Sequence, residues 1–161
     1  MNTRMILLPL LLVAGWTGAQ EREGWKLVWS DEFDKVGLPD PAKWTYETGF
    51  VRNREAQYYT KARLENARVE NGRLVIEGRK EEFKAPDGKT SQYTAASLTT
   101  EGLFETTYGR IEVRAKLPRG RGMWPAIWML GSAHRTLGWP KCGEIDIMEF
   151  VGHEPEKVFA T

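Results

Sequence analysis

The sequence predicts an all-β protein, a sandwich or a jelly roll, and three observations support this prediction. Short runs in which apolar and polar residues alternate recur along the chain, separated by turn residues. No segment sustains the apolar period of about 3.6 residues that is typical of an amphipathic helix. Seven Trp and 16 Gly among 161 residues also fit a β-rich protein better than a helical one.

The clearest predicted element is a hairpin in the first half of the chain. Segments 67–70 and 73–77 alternate and flank Asn71-Gly72. Asn-Gly favours a two-residue hairpin turn because both turn positions need φ > 0. Further strands are predicted, in chain order, at residues 25–29, 55–60, 93–100, 110–116 and 158–161. Segment 81–90 is polar and predicts a loop, and the Gly-rich segment 118–122 predicts another.

Segment 143–150 alternates carboxylates with large apolar residues, which predicts a half-buried strand. A regular strand places Glu144 and Asp146 on one face and Glu149 on the other. Glu149 joins the other two only if the strand contains an extra residue, a β-bulge, near Met148. Bulges often lie next to active sites, where they redirect a side chain.

Three carboxylates on one face indicate chemistry more than stability, because like charges repel each other. Hydrolysis of a glycosidic bond requires two carboxyl groups on one surface, one protonated and one ionised. The alternative is a strand with solvated carboxylates, with Glu149 paired to a neighbouring Lys or Arg. The tight pattern and the Trp-rich segment before it favour the catalytic interpretation.

Trp124 and Trp128 lie an even number of residues apart and share a face if the chain there is extended. Sugar rings pack on aromatic rings, so an exposed Trp row suits a glycan groove. The alternative is that both are core residues. Trp139, in the predicted loop before the carboxylate strand, is a further candidate for substrate contact or a loop anchor.

The chain resembles family 16 of the glycoside hydrolases, in the bulged form typical of laminarinase-like β-glucanases. Glu144 to Glu149 are similar to the family's catalytic signature. Four further segments match in the expected order: residues 29–34, 53–60, 108–116 and 124–130. The resemblance runs from about residue 25 to the end of the chain and implies a β-jelly-roll sandwich of two curved antiparallel sheets.

The N-terminal residues and the resemblance together divide the chain. Residues 1–19 are expected to be a signal peptide, and residues 20–161 the N-terminal part of a family 16 catalytic domain. All-β domains of this kind commonly run to about 200–250 residues. We therefore expect the jelly roll to be incomplete in this chain.

By resemblance, Glu144 is the nucleophile and Glu149 the general acid and base, and Asp146 between them sets the charge state of the site. Retaining chemistry needs carboxyl groups about 5–5.5 Å apart. Residues four apart on a strand have Cα atoms roughly 13 Å apart, so curvature, the bulge and inclined side chains must close the gap. Retention is therefore implied by the resemblance, not by the spacing.

The resemblance assigns further residues to the cleft and to a metal site. Asn53 would donate or accept a hydrogen bond with the sugar, while Glu55 and Gln57 either join it or satisfy neighbouring side chains. An Arg that often follows the Tyr93-Thr94 pair in the family is absent. Glu32 and Gly72 match positions that contribute to a structural calcium ion. No cofactor is required for the chemistry.

The expected activity is endo-hydrolysis of β-1,3 or mixed β-1,3/1,4 glucans, and the bulged signature favours β-1,3 linkages. Galactans are an alternative substrate. A second hypothesis is a non-catalytic glucan-binding module, against which the three intact carboxylates argue. A third is that the chain is an inactive fragment of such an enzyme.

The N-terminus predicts export to the periplasm or the medium. Arg4 precedes an apolar run, and Thr17-Gly18-Ala19 provides small residues for cleavage before Gln20. The net charge of +1 does not favour nucleic acid, and no membrane association is expected after cleavage. We expect a monomer whose partner is the polysaccharide substrate. The single Cys142 forms no intramolecular disulfide and is expected to be a small packed residue.

Overall fold

The computed structural model describes residues 23–161, in which almost all regular structure is β. The single helix among these residues is α1, His134–Leu137. In chain order the strands are β1 Thr45–Glu47, β2 Tyr58–Tyr59, β3 Ala67–Glu70, β4 Arg73–Ile76, β5 Arg79–Lys84, β6 Thr90–Ala95, β7 Ser97–Thr99, β8 Ala126–Leu130 and β9 Glu144–Glu149.

The chain divides into two compact units. Unit 1 contains the described residues up to Asp40 together with Thr48–Ala96, and unit 2 contains Pro41–Glu47 and Ser97–Thr161.

Unit 1 contains the predicted hairpin, which is confirmed. Strands β3 and β4 pair antiparallel, with Glu70 opposite Arg73. Asn71 and Gly72 have φ angles of 52° and 67°, as the turn requires. The second strand ends at Ile76, one residue earlier than predicted.

The loop predicted for residues 81–90 is wrong, because strands β5 and β6 form an antiparallel pair there. They join through a short turn at residues 85–89, and β6 also pairs with β2. Alternate side chains of β5 are part-buried, namely Arg79, Glu81 and Phe83. Two of these three are charged, so the half-buried face does not register as apolar in the sequence.

A network of polar side chains forms the centre of unit 1. Asn66 and Thr94 are fully buried and joined by a 3.0 Å hydrogen bond from Asn66 Nδ2 to Thr94 Oγ1. Thr60 donates to Asn66 Oδ1 at 2.8 Å. Arg63 donates to both oxygens of Glu81, at 2.6 and 3.1 Å, and Thr94 also donates to that carboxylate. Buried polar groups of this kind are stable only when they are all satisfied.

In unit 2, β1 pairs with β7 and β8 pairs with β9, each antiparallel. Two close backbone approaches flank the β8–β9 ladder and require glycine. A Cβ on Gly131 would lie 1.9 Å from the carbonyl oxygen of Cys142, and one on Gly152 would lie 1.8 Å from that of Gly120. Because these distances are far below van der Waals contact, no side chain fits at either position.

Two predicted strands form no ladder within residues 23–161, namely 25–29 and 110–116. A strand is defined by backbone hydrogen bonds to a neighbour, and alternation in sequence does not provide the neighbour. The predicted strand 93–100 is present but divides at Ala96 into β6 and β7. The predicted strand 158–161 is reduced to Phe159–Thr161, which hydrogen bonds with β9.

An open apolar cavity of about 460 Å³ lies in unit 2. Its lining comes from segment 111–117, including Ile111 and Val113, and from Ile127, Ile147 and Met148. Ile111 and Val113 are about half exposed. This surface is the apolar side of the β8–β9 ladder.

Within residues 23–161, no helix is both long and apolar enough to cross a bilayer. The predicted signal peptide, residues 1–19, lies outside the described residues.

Candidate active site

The extra residue predicted near Met148 is present in β9. Trp128 pairs with Asp146, and the next residue back on β8, Ile127, pairs with Met148. Ile147 is therefore left without an opposite residue, which defines a one-residue β-bulge.

Segment 159–161, on the other side of β9, also pairs around the bulge. Asp146 exchanges two backbone hydrogen bonds with Thr161, at 2.8 and 3.1 Å, and Glu149 exchanges two with Phe159, both at 2.9 Å. Three steps along β9 thus oppose two steps along the neighbouring segment. Because both neighbours pair around the extra residue, the bulge lies inside a central strand and is fixed from both sides.

The bulge brings the three carboxylates to one face of β9. Residues directly opposite in an antiparallel pair share a face, so Asp146 lies with Trp128 and Glu149 with Ala126. Ala126 and Trp128 are two residues apart on β8 and share one face. Glu144, two residues before Asp146, joins the same face. The interpretation that β9 presents three acids to one side is therefore supported by the register.

The alternative, in which these acids pair with neighbouring cations, finds no support in the described part of the chain. Within residues 23–161, Glu144, Asp146 and Glu149 form no ion pair with Lys or Arg. Glu144 is exposed, and the other two are part-buried. Three acids are thus held together on one face without a bound cationic side chain.

Trp124 lies next to the acid at the end of β9. Its indole nitrogen donates a hydrogen bond to Glu149 Oε1 at 3.1 Å. The side chain of Trp124 is 52% exposed, so it is not a core residue. Trp128 is part-buried and faces the same side as Asp146. Trp139 is 73% exposed, and its contact with substrate stays a prediction.

The segment around Asn53, just before the predicted strand 55–60, is a turn. Asn53 and Arg54 both have left-handed φ angles, 54° and 53°, which two consecutive strand residues cannot adopt. Strand structure in the predicted segment 55–60 is limited to β2. Asn53 is exposed and belongs to unit 1, whereas the carboxylates belong to unit 2.

Glu55 and Gln57 satisfy each other and Tyr59, which is the second interpretation of these residues given above. Tyr59 donates to Glu55 Oε2 at 2.8 Å, and Gln57 Nε2 donates to the same oxygen at 3.0 Å and to the Tyr59 hydroxyl at 2.9 Å. Burial and the Glu55 carboxylate raise the pKa of Tyr59 to about 12. The triangle fixes the segment that follows Asn53.

The residues matched to a calcium site do not form a side-chain ligand set. Glu32 and Gly72 are both exposed. Among residues 23–161, no three Asp, Glu, His or Cys side chains are grouped so that they could hold a metal ion. A calcium site here would need backbone oxygens in addition to the Glu32 carboxylate, and the assignment stays a prediction.

Sequence reasoning did not identify Phe159 and Thr161 as residues of the site. Their backbone pairing puts Phe159 beside Glu149 and Thr161 beside Asp146, on the carboxylate face. Alternation at 158–161 indicated a strand, but a sequence pattern contains no information on which strand is its neighbour or in what register.

Comparisons with known proteins show which family this chain is similar to. The family model "Glycosyl hydrolases family 16" matches residues 54–161. A β-glucanase of Rhodothermus marinus is 49% identical over the whole of this chain and 57% of its own length. The solved structure of the laminarinase from Rhodothermus marinus has a TM-score of 0.77 and 55% identity, covering 85% of this chain and 54% of that one.

A second solved structure is a mutant of a non-specific endo-β-1,3(4)-glucanase of family GH16, co-crystallised with 1,3-β-D-cellotriosyl-glucose. It has a TM-score of 0.82 and 49% identity, covering 87% of this chain and 56% of that one. The predicted jelly-roll class is confirmed by these neighbours and by the almost all-β content. The chain spans just over half the length of these relatives.

Proposed function

The chain belongs to family 16 of the glycosyl hydrolases, and from that premise we propose that it hydrolyses β-1,3 or mixed β-1,3/1,4 glucans internally, with retention of configuration. The observation that carries the proposal is the bulge at Ile147, which aligns Glu144, Asp146 and Glu149 on one face of a central strand. The β-glucanase names of the relatives support the substrate class.

In the first step the Glu144 carboxylate attacks the anomeric carbon while Glu149 gives its proton to the departing glycosidic oxygen. The bond between the anomeric carbon and that oxygen breaks, and a glycosyl ester forms on Glu144. In the second step Glu149 takes a proton from water, whose oxygen attacks the same carbon and releases Glu144. Asp146 lies between the two acids and adjusts their charge balance.

We assign the substrate contacts mainly to aromatic side chains. Trp128 shares the carboxylate face and provides a ring surface for a glucose residue. Trp124 and Trp139 are the other aromatic candidates, and the exposed Asn53 is the polar one.

Reducing-sugar release from laminarin and lichenan tests the activity, with Glu144→Ala as the matched blank. We expect activity in the 161-residue chain and a loss of at least about a thousandfold in the variant, because the nucleophile carries the covalent step. Equal rates in both proteins would contradict the assignment. Absence of activity in both, with laminarin binding retained, would favour the non-catalytic binding module.

Azide rescue separates the two glutamates. In a retaining enzyme, azide replaces a missing nucleophile and gives a glycosyl azide of inverted configuration from an activated aryl glycoside. It replaces water in an acid–base variant and gives the retained configuration. We therefore expect the α-azide from Glu144→Ala and the β-azide from Glu149→Ala, read by proton NMR. The reverse pattern would exchange the two roles.

We also propose that residues 1–19 direct export and are removed before Gln20. N-terminal sequencing of protein recovered from the periplasm or medium tests this, and a chain that still begins at Met1 would contradict it.

A structural calcium ion is proposed at Glu32 and the Gly72 carbonyl. A calcium-dependent rise in the melting temperature, reduced in Glu32→Gln, is the expected result.

A further inference from the structure

We infer that Trp124 is a positioning residue for Glu149, holding one carboxyl oxygen so that the other faces the bond to be cleaved. The resemblance to family 16 implies a different role for Trp124, that of a contact surface for sugar. The inference rests on the proposed function, since it concerns how Glu149 acts as an acid and a base.

The first line of evidence is the direct contact. The indole nitrogen of Trp124 lies 3.1 Å from Glu149 Oε1, within normal hydrogen-bond distance. An indole N–H is a donor only, so it can bind the carboxyl oxygen that is not carrying a proton. The same bond is available when Glu149 is ionised. It therefore holds the side chain in both steps of the reaction.

The second line of evidence is the way the backbone at Glu149 is fixed. Glu149 pairs with Ala126 on one side and exchanges two 2.9 Å hydrogen bonds with Phe159 on the other. These contacts hold the backbone but leave the side-chain torsions free. Trp124 precedes Ala126 by two residues and supplies the contact that fixes the carboxyl group itself.

The chemical consequence concerns which oxygen carries the proton. With Oε1 occupied by the indole donor, the proton resides on Oε2. It moves from Oε2 to the glycosidic oxygen as the glycosidic bond breaks, and Oε2 later accepts a proton from water. Without the indole donor the carboxyl group can rotate, and the proton is on average displaced from the leaving oxygen.

The two roles for Trp124 differ in their dependence on the leaving group. Trp124→Phe keeps a ring but removes the donor. If Trp124 positions the acid, kcat/KM for laminarin should fall at least on the order of tenfold, because general acid catalysis contributes about 10²–10⁴. For a dinitrophenyl glycoside, whose leaving group needs no proton, kcat/KM should change less than about twofold.

Trp128→Phe is the matched comparison, since Trp128 lies on the same face of β8 and pairs with Asp146. The Trp128→Phe substitution should raise KM by a similar factor for laminarin and for the dinitrophenyl glycoside, because it weakens a sugar contact that both substrates make. If Trp124→Phe also shows equal losses on the two substrates, the positioning role is overturned.

A spectroscopic test of the contact needs no turnover. In ¹⁵N-labelled protein, the Trp124 indole N–H signal is identified by its absence in Trp124→Phe. We expect this signal to shift in Glu149→Ala, which removes the acceptor of the hydrogen bond, and to shift much less in Glu144→Ala. An unchanged signal in Glu149→Ala would overturn the inference. Because this result does not depend on hydrolysis, it distinguishes failure of the inference from failure of the proposed function.

Discussion

Glu81 is the charged acceptor in the polar centre of unit 1. Hydrogen bonds from Arg63 and Thr94 lower its pKa to about 2 from an ordinary value of 4.5. A lowered pKa in the folded state means that the ionised form stabilises the fold. That stabilisation is complete above pH 4.5 and is lost as the pH falls toward 2.

Glu81→Gln should lower the free energy of unfolding by about 1–3 kcal/mol at pH 7, because it weakens the pair with Arg63 beside the buried Thr94. The difference from wild type should shrink between pH 4.5 and pH 2, where the wild-type carboxylate becomes protonated. Urea unfolding at several pH values measures both effects. Glu82→Gln, on the exposed side of β5, is the matched control and should change little. An equal loss in both variants would contradict the network's role.

Some residues of the site could be predicted from the sequence and others could not. The sequence predicts the shared face of Glu144, Asp146 and Glu149. Alternation places the first two on one face, and the odd spacing to Glu149 indicates one extra residue, because the side to which a strand residue points depends only on local spacing. Phe159 lies beside Glu149 only through pairing with a segment ten residues away. The Trp124 hydrogen bond likewise depends on a rotamer and a register. Neither is encoded in local spacing.

At the scale of elements, the hairpin at Asn71-Gly72 was predictable because its turn chemistry is local. Strand β5 was not, because its part-buried face contains Arg79 and Glu81, and the pairing of Glu81 with Arg63 is a tertiary property. The segment 110–116 alternates but finds no ladder among the described residues. Alternation therefore predicts that a segment tends to be extended. Whether the segment forms a ladder depends on a partner strand elsewhere in the chain.

The β8–β9 connection depends on close contact at Gly131. Gly131→Ala would bring a methyl group to 1.9 Å from the Cys142 carbonyl oxygen, so one of the two backbones must move. We expect a loss of about 3 kcal/mol or more in the free energy of unfolding. Gly78→Ala is the control, since its Cβ would meet its nearest atom at 4.0 Å, and it should be neutral or mildly stabilising. Chemical denaturation of both variants compares them, and equal stabilities would refute the clash.

The bulge itself can be removed by deleting Ile147. Both neighbours of β9 would then pair in regular register, and the three acids would remain on one face by simple alternation. The spacing between the two outer acids would shorten by one residue. We expect a folded protein whose kcat falls at least on the order of a hundredfold, since a displacement of only about 1 Å already has about that cost.

An insertion of one Ala after Met148 is the opposite test. It should turn Glu149 to the apolar face and abolish activity as completely as Glu149→Ala. Laminarin hydrolysis and the dispersion of the NMR spectrum report function and folding together. A folded deletion variant as inactive as Glu149→Ala would contradict the parity argument.

At the scale of the whole molecule, charge and apolar exposure act together. The net charge is +1 and the isoelectric point is about 7.8. The cavity lined by Ile111, Val113 and Ile147 presents apolar surface to solvent. Near-zero charge removes the repulsion that keeps such surfaces apart.

Light scattering at constant ionic strength should therefore be greatest near pH 8 and fall toward pH 5, where net positive charge grows. Val113→Thr, at a half-exposed position, should reduce scattering at pH 8 and change the free energy of unfolding by less than about 0.5 kcal/mol. A scattering profile that is flat with pH would show that association has another source.

The one-residue irregularity in β9 also bears on how such a site can change over evolutionary time. Gain or loss of a codon inside a central strand ordinarily exchanges its two sides and destroys whatever the strand displayed. At Ile147 the outcome differs, because versions with and without that codon both display three acids to the same side. A single codon insertion or deletion therefore converts one strand length into the other, and no intermediate form has its acids on opposite faces. The spacing between the acids can in this way change by inheritance while their shared face is kept.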